Sequence, residues 1–389
     1  MAECYANKPH RGLLRTVALP VLLACGAAPA GTPTEPAKLL ESGRYREALA
    51  SLEKGASDPA SRLLRGRAYL GLGRYAEAEA DLTEPGPAQG EPVRLEALSR
   101  AVEVRGDVDK ALTLMTQGVE VKRKSLASTE SIDGANALAD YRTAFGELAF
   151  RTGKLDVAKE QFQKAISLVG EAHAKLHALD IPHDERDPRL FAGPATAGLA
   201  RVYGAQGDAQ RAERSWRSVN ARTDDPAILA SLVTFYRARN DAKTSRRHLE
   251  RALKLSKGKP AQRRVRALLL AEDKATQKEA LELAEALHAE SPNLEACDAL
   301  AWVLHLQGDQ ERAAEILKPL VELGTKDPEV LYHAGLIAQA RKQTEDARRL
   351  LKGSLALNPA FDPVMSPDAK KRLEQLRRGA PSTNPPSAH

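Results

Sequence analysis

The residues whose spacing comes closest to chemistry are two histidines. His173 and His177 stand four apart, which puts both imidazoles on one face of a helix, and His183, Asp184, Glu185 and Asp187 follow closely. Two imidazoles at that spacing are the start of a metal site. The glutamate of an HExxH motif is missing, and so is a third ligand at a fixed distance. The plainer expectation is a solvated pair at the edge of a loop, with no metal bound.

A second concentration is one of charge. From Lys243 to Arg266 the chain carries ten basic residues against Glu250 alone, while the whole protein has a net charge of only +6. Arg246, Arg247, Arg251, Arg263, Arg264 and Arg266 form the basic patch expected from this run. A focused positive field attracts anions. No aromatics interleave for base stacking, so nucleic acid is disfavoured and an acidic protein, an anionic polymer or an anionic lipid surface fits better. A merely solvated basic face is the alternative.

Nucleophile chemistry finds little support. Cys4, Cys25 and Cys297 form no CxxC, and no Cys/His spacing would build a zinc site. There is no Walker phosphate loop, no GxSxG elbow and no GxGxxG after a strand. Cys297 falls on the packing face of a helix and reads as a small core residue. The expectation is a protein with no catalytic residues and no cofactor.

The elements that must position these residues are helical. The 389-residue chain is rich in Ala, Leu, Glu and Arg, with 4% aromatics, and offers no convincing strand. One phrase recurs: a helix, a Gly-centred turn, then a second helix with a small residue five positions on. It is clearest at Gly43-Arg44-Tyr45-Arg46-Glu47-Ala48 and Gly73-Arg74-Tyr75-Ala76-Glu77-Ala78. Further turns fall at Gly106, Gly153, Gly207, Asn240, near Ala275, at Gly308 and at Lys342, most of them 30 to 35 residues apart. Asp58-Pro59, Asp225-Pro226, Asp327-Pro328 and Asn358-Pro359 mark junctions, where proline opens the next helix.

That period and those residue types resemble the tetratricopeptide repeat family. The resemblance covers about residues 37–357 and implies an all-α, right-handed α-solenoid of about nine helix-turn-helix pairs with a capping helix near residues 367–378. One such pair cannot bury its own apolar face, so stability comes from stacking neighbours. Arg65 at a usually apolar place and Ser245 in place of alanine depart from the pattern. Expected bounds are repeats at 37–169, an insertion at 170–193, repeats at 194–360, a cap at 361–378 and a disordered tail at 379–389.

The resemblance also implies a function. Solenoids of this family hold other proteins in the groove lined by their first helices. By register the groove residues here are Arg100, Arg201, Arg237, Trp302, His305 and Tyr332, the last three making an aromatic-polar patch. A packed Trp302 with solvated neighbours is the alternative. The Lys and Asn set with which some members grip a terminal carboxylate is absent.

The amino terminus supplies an address. Lys8, Arg11 and Arg15 precede an apolar stretch from Val17 to Ala24, the layout of a secretory signal. Its end, Leu22-Leu23-Ala24-Cys25-Gly26, resembles a bacterial lipobox, which implies cleavage after residue 24 and acylation of Cys25. Residues 25–36 then form a flexible tether. Two or more acyl chains anchor stably, and Gly26 after the cysteine favours the outer over the inner membrane by the family pattern. An ordinary signal cut near Ala28 or Ala30 remains open. The sequence thus points to an envelope-anchored scaffold without catalysis; a soluble cytoplasmic adaptor, or a metal- or anion-binding enzyme or sensor accessory, are the alternatives.

Overall fold

The computed structural model describes residues 34–52, 57–87, 90–126, 132–178, 190–258 and 260–378. Cys25, residues 179–189 of the insertion with His183, Asp184, Glu185 and Asp187, and the tail lie outside the described residues. Among the described residues every regular element is an α-helix, nineteen in all, and none is long and apolar enough to cross a membrane.

The helices form nine antiparallel pairs and a cap. The first four pairs are α1 (Glu35–Glu41) with α2 (Tyr45–Ser51), α3 (Pro59–Gly71) with α4 (Tyr75–Thr83), α5 (Glu91–Val104) with α6 (Val108–Leu126), and α7 (Ile132–Arg151) with α8 (Leu155–Ala178). Then follow α9 (Gly193–Ala205) with α10 (Ala209–Arg222), α11 (Pro226–Ala238) with α12 (Ala242–Leu255), and α13 (Pro260–Ala271) with α14 (Gln277–Glu290). Last come α15 (Leu294–Gln307) with α16 (Gln310–Glu322), α17 (Pro328–Ala340) with α18 (Thr344–Leu357), and the single α19 (Met365–Arg378). This is the α-solenoid of helix pairs that the periodicity predicts. Residues 170–178, expected at the start of an insertion, are the last turns of α8.

Local chemistry explains the boundaries. Asp58 caps α3 by accepting from the Ala60 and Ser61 amides at 3.0 and 2.9 Å, and Asp225 and Asp327 do the same for α11 and α17, each with proline at the first helical position. Within pairs, small residues let large ones in. The fully buried Phe162 of α8 fills the space that a Cβ at Gly146 or Gly198 would occupy, so one aromatic ring joins the fourth pair to the fifth. The two departures from the family pattern are also explained. Arg65 makes a two-pronged bond to Asp81 on its partner helix, 2.7 and 2.6 Å long, and the buried Ser245 hydroxyl donates to the Val233 carbonyl at 3.2 Å.

The solenoid does not run open-ended. It coils tightly enough that the turns of the first four pairs rest on the junctions between the last pairs. Gly43 meets Pro260; Gly73 abuts the Pro292 carbonyl; Gly106 abuts Gly324; Gly153 abuts Leu357. Hydrogen bonds fasten these rungs. Ser291 donates to the Gly71 carbonyl, 220 residues away, the Leu294 amide donates to the Tyr75 hydroxyl at 2.6 Å, and Asn358 Nδ2 donates to the Phe150 carbonyl at 2.7 Å. A single apolar cluster accordingly contains Leu98 and Leu148 from the early pairs and Leu300, Leu317 and Ile337 from the late ones. We call this contact the seam.

Candidate functional site

The first helices line the inside of the coil, and there the seam decides what is accessible. Arg100 of α5, 8% exposed, bonds Glu103 at 2.7 Å and also Glu295 of α15; Glu103 is held in turn by Arg151 of α7 at 2.7 Å, and Arg151 lies 3.8 Å from Asp327. Burial works against every charge in this chain of ions. Yet Glu295 and Glu103 keep the Arg100 guanidinium above its usual range, and Arg151 and Arg100 keep Glu103 below the usual carboxylate range. Removing one member of such a buried set leaves the others uncompensated. A cavity of about 100 Å³ lies beneath the first rungs, between Tyr45 and Tyr75 on one side and Arg264, Glu290 and Ser291 on the other.

The residues assigned to a groove are therefore mostly spoken for. Arg100 is the centre of the ion chain. Arg201 bonds Glu147 and stacks on Phe150, and Arg237 bonds Glu272 at 2.5 Å; both are about one-third exposed. Trp302, His305 and Tyr332 do come together, with ring centroids 5.2 and 6.4 Å from the tryptophan, but His305 and Tyr332 are buried and Trp302 half-buried. The Tyr332 hydroxyl donates to Asp368 of the cap at 2.7 Å, and His305 Nδ1 lies 2.6 Å from Gln310. These aromatics hold the cap to the last pairs. Among the described residues the turns of the first four pairs rest on the late junctions, so the face of the first helices is closed at those four rungs.

Behind Trp302 lies a cluster the sequence did not single out. His333, 1% exposed, stacks on the Trp302 ring at 4.1 Å, and its Nδ1 lies 2.8 Å from Asp298, 2% exposed. Glu329, four residues before His333 on α17, brings a carboxylate so that ligand atoms of all three residues fall within 4.8 Å of one another. Burial opposes a charge on His333, but Asp298 outweighs it and raises the imidazole, while burial and then Asp298 push Glu329 up. The i,i+4 spacing of Glu329 and His333 was legible, but Asp298 arrives from another helix.

A second buried carboxyl stands apart from that cluster. Burial pushes Glu96 of α5 up to about 8; Lys122 and Arg67 pull it down without offsetting this, and Asp140 adds to the rise. His173 and His177 converge on α8 with Nε2 atoms 3.1 Å apart, exposed to solvent or nearly so.

The basic patch is divided. Arg263 bonds Glu290 and Arg266 bonds Glu279, both through 2.6 to 2.9 Å contacts; Arg264 donates to the Glu295 carbonyl, and Arg251 pairs with Asp224 at 2.6 Å. Arg246 and Arg247 are exposed and make no ion pair among the described residues, as are Lys243, Lys254 and Lys257. The charge continues on α10, where Arg211, Arg214, Arg217 and Arg222 are exposed, Arg211 paired with Asp208 and Arg217 with Glu213; Arg251 reaches the Thr223 carbonyl at the end of α10, and Trp216 shares a cluster with Leu249 and Ala252. Sequence distance hid this, though the repeat period places second helices of adjacent pairs side by side. The field is felt inside as well. Burial and then the charges of Arg247 and Arg251 lower His248 below the usual imidazole range.

Two family models match parts of the chain. Residues 59–80 and 193–218 match a family model described as tetratricopeptide repeat, and residues 273–354 match one described as anaphase-promoting complex, cyclosome, subunit 3. No curated protein matches the chain. Similar solved structures include a tetratricopeptide repeat protein from Parabacteroides merdae, 15% identical, covering 74% of this chain and 99% of that one with a TM-score of 0.36. The APC/C hetero-tetramer Cut9-Hcn1 is 16% identical over 84% of this chain and 58% of that one, TM-score 0.39, and the human IFIT1 dimer with PPP-AAAA is 15% identical over 88% and 83%, TM-score 0.42. The chain is thus an α-solenoid of nine helix pairs among the described residues, and parts of it match tetratricopeptide repeat models.

Proposed function

We propose that this protein is a non-enzymatic adaptor, held on a bacterial envelope by acyl chains on Cys25, that captures an acidic surface of a protein partner on the outer faces of α10 and α12. The observation that carries this reading is the row of exposed arginines and lysines on two neighbouring second helices, with Arg214, Arg246 and Arg247 unpaired among the described residues. Unpaired cations in one field steer and orient an oppositely charged partner. The inner face, by contrast, spends its charged residues on one another. The repeat type supports a protein as the partner; the lipobox-like segment and the tether that follows it support the anchor.

Cross-linking in cells tests the seat. A variant with Arg214→Glu, Arg246→Glu and Arg247→Glu is expected to lose the protein captured by the parent while keeping its far-UV circular dichroism, and capture by the parent is expected to weaken with added salt. Undiminished capture by the folded triple variant would refute the outer seat. Capture of polymer or lipid alone would refute the protein partner. Fractionation of a Cys25→Ser variant tests the anchor separately: the protein is expected to leave the membrane fraction.

A further inference from the structure

We propose that Asp298, Glu329 and His333 form a binding site for one divalent transition cation of the zinc class, set inside the coil between α15 and α17. The donors are of the right kind. An imidazole nitrogen and two carboxylate oxygens suit zinc and its neighbours in the first transition row. Their atoms already lie within 4.8 Å of one another. Donors about 2.0–2.2 Å from a tetrahedral zinc stand about 3.3–3.6 Å apart, so closing the set asks for a small side-chain movement rather than a shift of helices. Glu329 is the half-buried member and has room to make that movement.

Two further observations point to a ligand rather than to a finished ion pair. The Glu329 carboxylate makes no hydrogen bond and no ion pair among the described residues, although it faces a second carboxylate. His333 is buried and its Nε2 has no hydrogen-bond partner, while its ring plane is fixed by stacking on Trp302. The ring is fixed with Nδ1 turned to Asp298 at 2.8 Å, so a cation that displaces the proton between them takes that nitrogen and the Asp298 carboxylate together, and the unpaired Glu329 carboxylate supplies further charge. Arg264 also acts on Glu329, but its Nε is engaged with the Glu295 carbonyl. A bound cation would tie the eighth pair to the ninth beside the seam.

The His173 and His177 pair on α8 is a second place for zinc to collect, so the test uses the full chain with His173→Ala and His177→Ala. After chelator treatment and dialysis, zinc chloride is titrated while bound metal and thermal midpoint are measured. One equivalent bound, with a raised midpoint, is expected. Glu329→Gln in the same background is expected to weaken binding by at least about tenfold with an unchanged circular dichroism spectrum. Trp302, stacked on His333, gives a second reading on the unaltered cluster. The protein has only Trp216 and Trp302, and with Trp216→Phe the Trp302 emission is expected to change and saturate at one equivalent. No stoichiometric zinc in the folded double-alanine protein, an unresponsive Trp302, or equal binding by Glu329→Gln overturns the proposal.

Discussion

Gly153 and Lys342 occupy the same place in their repeats, the residue that turns the first helix into the second, and both have positive φ, 73° and 61°. Yet one is glycine and the other a long charged side chain. The difference is the seam. At Gly73, Gly106 and Gly153 a Cβ would run into a carbonyl oxygen of a late junction, whereas at Gly207 and Gly308 it would meet nothing within 4 Å. Asn240 and Lys342 belong to the same later half. The early turns thus satisfy two demands, a left-handed backbone and a bare surface, and the later turns only the first. Glycine alone meets both.

The largest effect should come from breaking the ion chain that crosses the seam. Arg100→Ala strands Glu295 and leaves Glu103 with Arg151 only, an expected loss of about 3–5 kcal/mol by denaturant unfolding. Arg312→Ala, which removes an exposed pair with Glu285 on the outer side, should leave stability unchanged. Next come the glycines. Alanine at Gly308 costs only the left-handed conformation, about 1–2 kcal/mol, whereas alanine at Gly106 or Gly153 should cost about a further 1–3 kcal/mol because a backbone carbonyl blocks it. Equal losses at the two kinds of turn would dismiss the seam as a stabilising contact.

The most gradual effect, spread over several pH units, sharpens the same contrast. Glu96, in the half that bears the seam, holds its proton in the folded state up to about pH 8 but loses it near its ordinary value when unfolded. Between those limits the folded state binds more protons, so stability should fall as pH rises, by at most about 1.4 kcal/mol per unit. Glu96→Gln should flatten that slope between pH 5 and pH 8, as read from unfolding midpoints.

Much of this was legible because a repeat writes the same constraint many times. The turns, the Asp-Pro caps and the small residues opposite Leu82, Phe162 and Leu351 follow from contacts within a pair or between neighbours, which lie close in sequence. Contacts across a whole coil do not. Nothing in the residues around Gly71 announces Ser291, and the ion chain through Arg100 depends on how much each pair rotates against the next. The same uncertainty of rotation made Tyr332 a surface candidate, when its hydroxyl is taken by Asp368, and passed over His333 beside it. The basic run was visible as charge, but which of its arginines find acids was decided by how α13 lies on α14 and by how α12 reaches the end of α10.

An array of modules is ordinarily free to grow or shrink, since each member answers only to the one before it. Here the pitch of the spiral has become a fixed quantity. Cutting out or inserting one module between the fourth and the seventh would rotate everything downstream by a step, and each of the four rungs would face the wrong neighbour. The number of repeats is therefore part of the fold, much as the number of staves is part of a barrel.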